Sequence, residues 1–525
     1  MPRFRTAAVA TLLVVPMVAG GFFLEKPVRA NSLLFDQVMS LVKTHYVDTM
    51  PSGAAYEKAA RGLVRELNDP YSELLSPVQA DDFNRQTGGR YGGTGMLIGQ
   101  PAPGIVVVDR VFPNTPAEEA GVREGDRVMS VDTTATANIA FAKVSDLLRG
   151  EPGSAVTVTY ARPGVPEPIK LKFTRRVVHV PAVAYTGMFG DHVGYIPLQT
   201  FNENAAEEVR SAVDGLVKQG AKGLVLDMRD NGGGIVDQAL ETSSLFLGDG
   251  QEIVSVRSRN QPTELLRSGG RHLALDIPLV VLVDGGSASA TEIVAGALQD
   301  HDRALVVGTT TFGKGLVQSV YQLQGGYHLK ITTGKWFTPS GRSIHRDRKL
   351  LPNGQFVEVR PDSARPDTIA KPQYKSDAGR VVIGGGGIRP DVVVADDTLP
   401  AAERDFLRAV APKVQAVNTV MQDYSLQLKG TVARDFVVPA AWTSEVMQRL
   451  AAAGVTVDPK HEAAARAFLV RDLERRVTRL TFGEAAAKER GLADDHPLRR
   501  ALDLLQHSGT QSQLLAAAGT ASARK

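Results

Sequence analysis

Val281-Leu282-Val283-Asp284-Gly285-Gly286-Ser287-Ala288-Ser289-Ala290-Thr291-Glu292 reads as an apolar strand, a turn of small residues and the opening of a helix. An unbroken apolar run of this length marks a strand buried on both faces, as in a sheet covered by helices. The same unit repeats on either side. Strands at 193–198, 223–228, 278–283 and 304–307 alternate with helices at 203–219, 235–247 and 290–299, which predicts an α/β core. Antiparallel strands follow at 316–323 and 327–337. The stretch 340–389, rich in Pro, Gly and charge, reads as a long loop before a last strand at 392–394.

The turn lifts a side chain out of the sheet toward the N–H groups of the helix start, which suits a serine nucleophile. It lacks the glycine two residues after the serine that a G-x-S-x-G elbow requires. Helix capping by Ser287 or Ser289 is the better account on this segment alone. A second candidate is Lys314, set between Gly313 and Gly315, which let its backbone approach another element closely. A lysine acts as base only if its surroundings lower its pKa. Gln318, four residues on, falls on roughly the same face and can hold the amine; a solvated loop lysine is the local alternative. Gly308 to Lys314 also fits G-x-x-x-x-G-K, but Gly315 stands where the hydroxyl residue belongs and a strand follows instead of a helix, so a phosphate loop is rejected. In Asp227-Met228-Arg229-Asp230-Asn231-Gly232-Gly233-Gly234, the glycines permit an N–H to face a substrate oxygen, or simply make a tight turn.

His301 and His345 lie in a charged helix end and in the Pro-rich loop without an orienting pattern, and His345 is kept only as a lesser candidate for a triad. There is no cysteine, which excludes a thiol nucleophile, disulfides and thiolate metal sites. No metal motif occurs, and no cofactor is called for.

Before the α/β core, short strands at 104–111, 127–131 and 155–160 with one helix at 142–148 predict a small β-rich domain. Gly93-Thr94-Gly95-Met96 is a loop of N–H groups running into a strand edge. Such a loop can capture a C-terminal carboxylate while the peptide adds as a strand, with a pocket at Met96, Ile98 and Leu147; a plain glycine turn is the alternative. At the N-terminus, Arg3 and Arg5 precede an uncharged run at 6–24, and Val28-Arg29-Ala30 offers a cleavage site. The run is also close to the roughly 20 residues that span a bilayer, so a cleaved export signal and an inner-membrane anchor both remain open. Lys and Arg (60) nearly balance Asp and Glu (57) with no basic stripe, which argues against nucleic acid as a partner.

Taken together, these segments resemble the carboxyl-terminal processing (tail-specific) proteases of peptidase family S41, from about Ser32 to Val394. The resemblance is carried by Leu67-Asn68-Asp69-Pro70-Tyr71-Ser72, Tyr91-Gly92-Gly93-Thr94-Gly95, Pro116-Ala117-Glu118-Glu119-Ala120-Gly121, Arg229-Asp230-Asn231-Gly232-Gly233, Ser287 to Glu292, Phe312-Gly313-Lys314-Gly315 with Gln318, and Phe337-Thr338-Pro339-Ser340-Gly341-Arg342. Thr115, Gly232 and Thr291 depart from the family pattern without removing a catalytic group. The resemblance implies a crotonase/ClpP-like protease core with an inserted PDZ domain. It also implies Ser289 as nucleophile, Lys314 as base, Gln318 orienting Lys314, and an oxyanion hole from the N–H groups of Gly233 and Ala290. Expected partners are protein or peptide substrates with apolar C-termini in the cell envelope. An inactive PDZ scaffold is the main alternative, and an acyl-CoA enzyme on the related fold is a weaker one.

The expected organisation is a signal or anchor at 1–30, a helical region at 31–82, the PDZ domain at 83–177, the protease core at 178–397, a helical extension at 398–507 and a disordered tail at 508–525. The family leaves the extension without a role; a homodimer interface and a cap over the cleft are both open.

Overall fold

The computed structural model describes residues 32–162, 165–190, 192–270, 272–273, 276–351, 356–358, 371–395 and 399–522. The chain divides into two compact units. The smaller draws on Met1–Pro77, Gln318–Thr332 and Lys349–Phe356, and the larger on Val78–Val317, Thr333–Arg348 and Val357–Lys525.

At the centre of the larger unit lies a six-stranded sheet of β1 (Gly187–Phe189), β2 (Val193–Pro197), β3 (Gly223–Asp227), β4 (Leu279–Val283), β5 (Leu305–Gly308) and β6 (Val392–Val393), in that order. β1 is antiparallel to β2 and every other pairing is parallel. Every residue of β2 to β5 is buried, as the apolar runs predict. Side chains alternate along each strand, so Leu224, Leu226, Val281 and Val283 face one side. There they meet α1 (Ala205–Lys218), α2 (Val236–Ser244) and α3 (Ala290–Asp300) through Val209, Val213, Ala239, Ile293 and Val294. α3 is buried at every residue, which is why its sequence is apolar beyond a single stripe.

Val225, Val280, Leu282, Leu305 and Val307 face the other side, and the C-terminal region covers them. Leu498, Ala501, Leu502 and Leu505 of α4 (His496–Gln506) and Leu514 and Ala518 of α5 (Gln511–Ser522) pack on that face. Each such leucine, fully buried, contributes about 1.5–3 kcal/mol. The expectation of a disordered tail from Ser508 is therefore corrected: α5 runs to Ser522 because Leu514 and Ala518, four residues apart, form one apolar stripe. The rest of the extension is a helical bundle built on Phe406, Met421, Val446, Leu450, Leu469 and Leu473.

The β-rich domain is an antiparallel sheet of Met96–Ala102, Ile105–Val111, Arg127–Val131, Ala155–Ala161 and Ile169–Thr174, with helix Phe141–Leu148 over a core of Val106, Val108, Val128, Val144, Val158 and Tyr160. A ribbon of Arg90–Gly93 paired with Arg176–His179 closes it where the chain enters and leaves. The expected long loop at 340–389 contains an antiparallel pair, Gln373–Lys375 with Val381–Ile383. Arg342 anchors its start as a fully buried cation, 2.6 Å from Asp300 Oδ1 at the far end of α3.

In the smaller unit, helices at 32–45 and Ser52–Arg65 precede strand Glu73–Leu75, which pairs antiparallel with His328–Lys330. The Arg61 guanidinium donates to the Leu74 carbonyl at 2.7 Å and ties helix to strand. The export signal or anchor expected at 1–30 lies outside the described residues. Among the described residues no helix is long and apolar enough to cross a membrane.

Candidate active site

Ser289 ends the turn between β4 and α3 with φ 56° and ψ −115°, a conformation L side chains rarely adopt. Holding a non-glycine residue there costs about 1–3 kcal/mol, so the surroundings must impose it. They do so through Ser287 and Asp284. The Ser287 hydroxyl is buried and donates to the Met228 carbonyl at 2.8 Å, while Asp284 Oδ1 accepts from the N–H groups of Gly286 and Ser287 at 3.0 Å. Of the two candidate serines, Ser287 is thus part of the scaffold. Ser289 is half-buried and stands where the turn projects from the sheet.

The turn after β3 lies alongside. Asp284 Oδ1 also accepts from Asp230 N–H at 2.9 Å, and the Asn231 carbonyl accepts from Ala288 N–H at 3.0 Å and from Thr291 Oγ1 at 2.8 Å. Gly233 comes so close to the serine that an added Cβ would lie 2.7 Å from the Ala288 carbonyl oxygen and 3.0 Å from Ala290 N and Ser289 Cβ. With φ 97° as well, this position requires glycine. Its N–H donates to Asn231 Oδ1 at 2.9 Å. Ala290 begins α3, so its N–H has no carbonyl acceptor within the helix.

Glu292, fully buried in the first turn of α3, binds the lysine segment to this pair of turns. Its Oε2 accepts from Ser289 N–H at 2.9 Å and from Lys314 N–H at 2.8 Å; its Oε1 accepts from Thr311 Oγ1 at 2.5 Å and Gly313 N–H at 2.7 Å. One carboxylate oxygen therefore holds the backbones of Ser289 and Lys314 within the span of two hydrogen bonds. Burial pushes the Glu292 carboxyl up from its ordinary value, and the donors around it pull the other way. On its far side the lysine segment rests on Ile344 to Arg346. A Cβ on Gly315 would lie 3.0 Å from His345 N, which is the close approach its glycines suggest. Trp336 Nε1 donates to the Lys314 carbonyl at 3.1 Å. A strand, Leu316–Gln322, follows, as the rejection of a phosphate loop requires.

Ser289, Ala290, Gly233 and Lys314 are thus brought together by their backbones. Gln318 belongs to the smaller unit, where its Nε2 donates to the Tyr71 carbonyl. His301 sits at the opposite end of α3, held between Asp377 Oδ2 and the Glu252 carbonyl at 2.7 Å each, and has no part in this arrangement. Glu292, Asn231 and Asp284 were not singled out from sequence. The signal for Glu292 was present, because Ser289-Ala290-Thr291-Glu292 is a capping-box pattern.

A groove of about 520 Å³ opens on the β-rich domain beside strand Met96–Ala102, lined by Tyr91, Thr94, Met96, Ile98, Phe141 and Leu148. Thr94, Met96 and Ile98 line this groove together, and Leu148 lines it where Leu147 was expected. Gly93 and Gly95 flank Thr94, and Gly93 lies at the end of the closing ribbon under the Tyr91 ring. Thr200 and Asn202 of the core form another wall. Phe201, between them, donates its N–H to the Gly233 carbonyl at 3.1 Å and accepts from Ile235 N–H at 2.8 Å. The groove wall and the glycine turn beside Ser289 are therefore one hydrogen-bonded piece.

Comparison with known proteins places these features in context. The model of peptidase family S41 matches residues 192–362, and a PDZ domain model matches residues 107–162. The chain is 37% identical over 316 residues to a carboxy-terminal-processing protease of Bartonella bacilliformis, covering 59% of this chain and 71% of that protein. It is 32% identical over 376 residues to the carboxy-terminal processing protease CtpA of Bacillus subtilis, covering 71% and 79%. A chloroplastic C-terminal processing peptidase of Tetradesmus obliquus is 34% identical over 354 residues, covering 61% and 76%.

Proposed function

This chain belongs to peptidase family S41 and is a serine-type C-terminal processing peptidase carrying a PDZ domain, and from that premise we propose that Ser289 is its nucleophile and Lys314 its general base. The observation that carries the assignment is the strained backbone of Ser289, packed against Gly233 and tied through Glu292 to Lys314.

Neutral Lys314 takes the Ser289 hydroxyl proton as the oxygen attacks the peptide carbonyl. The resulting oxyanion is stabilised by the N–H groups of Ala290 and Gly233, for the second of which it competes with Asn231 Oδ1. Lys314 returns the proton to the leaving amine, and water then releases the acyl group from Ser289. Gln318 orients the Lys314 amine.

Substrates are selected by apolar C-terminal tails. The tail adds as a strand along Met96–Ala102, its carboxylate meeting the N–H groups of Gly93 to Gly95 and its last side chain entering the groove at Met96, Ile98 and Leu148. The basic, then apolar N-terminal sequence supports action on envelope proteins after export, by a cleaved signal or an anchor.

Cleavage of a peptide with an apolar C-terminus, compared among wild type, Ser289→Ala and Lys314→Ala, tests this reading. Each variant is expected to lose at least about 1,000-fold in kcat. A peptide ending in Asp is expected to raise KM for wild type. Equal cleavage by all three proteins would defeat the dyad, and indifference to the tail would defeat the groove assignment.

A further inference from the structure

The turn that carries Gly233 leaves β3 through Arg229, and Arg229 is gripped from two directions. Its Nε donates to Asp227 Oδ1 at 2.9 Å and a terminal nitrogen to Asp227 Oδ2 at 2.6 Å. Its two terminal nitrogens also form a bidentate pair with Asp495, both at 2.9 Å. Side-chain exposure is 16% for Arg229, 8% for Asp227 and 12% for Asp495, so solvent screens these contacts little. Tyr195 donates its hydroxyl to Asp227 at 2.8 Å, and the Lys488 ammonium bonds Asp495 from the other side. Burial alone would raise the Asp495 carboxyl, but the hydrogen bonds and charge of Arg229, with Lys488, outweigh it and hold the group well below the usual carboxylate range.

Asp495 comes from the helical region that caps the sheet, and it also N-caps α4 by accepting from Leu498 N–H at 3.0 Å. α4 is fixed to the sheet by Leu498, Leu502 and Leu505. The carboxylate is therefore rigid relative to β3, and it fixes the direction in which the chain departs toward Asp230, Asn231 and Gly233. The bidentate fork adds geometric specificity that a single contact lacks.

We infer that Asp495 is a positioning residue for catalysis: through Arg229 it sets the turn that presents the Gly233 N–H, so the C-terminal region completes the active site in addition to covering the sheet. This rests on the assignment of Ser289 and the oxyanion hole above. The role predicts a loss of transition-state stabilisation without a loss of substrate binding.

The test is kcat and KM of the full chain on a peptide with an apolar C-terminus, at a temperature where circular dichroism shows every variant folded. Asp495→Asn keeps a good helix cap but removes the charge. It is expected to lower kcat by about 10- to 100-fold with KM within about twofold of wild type. Asp495→Glu restores the charge and is expected to recover most of the loss, which a purely packing or capping role would not produce. Wild-type kcat in Asp495→Asn, equal losses in the Asn and Glu variants, or a loss carried by KM would each overturn the inference. Ser289→Ala, run alongside, separates the two claims: its continued activity would mean that the assignment of Ser289 as nucleophile has itself failed.

Discussion

The turns after β3 and β4 leave neighbouring parallel strands and carry backbone at positive φ, yet they place it on different residues. After β3 the position that faces Ser289 is Gly233, with no side chain and no room for one. After β4 it is Ser289, a residue that resists this conformation, at ψ −115°, outside even the left-handed helical region. Where only a backbone N–H is needed, glycine supplies the shape without strain. Where a hydroxyl must be presented, the fold accepts the strain and offsets it with Asp284, Ser287 and Glu292.

Exchanging the roles of the two turns breaks the comparison most severely. Gly233→Ala forces a Cβ against the Ala288 carbonyl oxygen, so kcat is expected to fall by about 100- to 1,000-fold and stability by about 2–4 kcal/mol. Steady-state kinetics and urea unfolding measure both, and near-wild-type values would show that the turns are not in contact.

Glu292→Gln attacks the joint that the two turns share with the lysine segment. An amide can satisfy only part of a site filled with donors, and the expected losses are about 10- to 100-fold in kcat and about 1–3 kcal/mol in stability. The pH dependence has a defined sign. Because the folded-state pKa of Glu292 is raised, the unfolded chain ionises first as pH rises, and this group's contribution to stability declines between the ordinary carboxylate value and the raised one. The Gln variant should lack that component in urea unfolding followed across pH. An unchanged slope would mean that Glu292 is not desolvated.

The smallest effect on stability is the most diagnostic of strain. Ser289→Gly should abolish cleavage while raising stability by about 1 kcal/mol, because glycine adopts φ 56° and ψ −115° freely. A lower Tm would show that the serine is not strained.

The strand–turn–helix units were legible because parallel strands buried on both faces leave apolar runs. Strands Glu252–Ser258 and Glu264–Arg267 escaped notice, since one lies half-exposed beside the other and neither has such a run. At Ser289 the sequence supported helix capping and catalysis alike. The capping pattern proved real in one respect, as Glu292 does bind Ser289 N–H, but a capping pattern carries no sign of φ. The helical extension at 398–507 could be read from sequence, though not what it covers, and the last helix, Gln511–Ser522, could not, because Ser, Thr, Gly and Ala dominate that stretch. Asp495 meets Arg229 across 266 residues of sequence, and nothing local marks that pairing. The role of Gln318 rested on its register with Lys314 and on the resemblance, and its hydrogen bond to the Tyr71 carbonyl had no sequence signal.

Whether Ser289 carries the acyl group is the most direct question. Wild-type protein mixed with a peptide ester, quenched in acid within the first turnover and digested, should yield one acylated fragment by mass spectrometry, with the modification on Ser289. It should be absent from Lys314→Ala quenched at the same time. An acyl group on another residue, or turnover with Ser289 unmodified at every time point, would contradict the account.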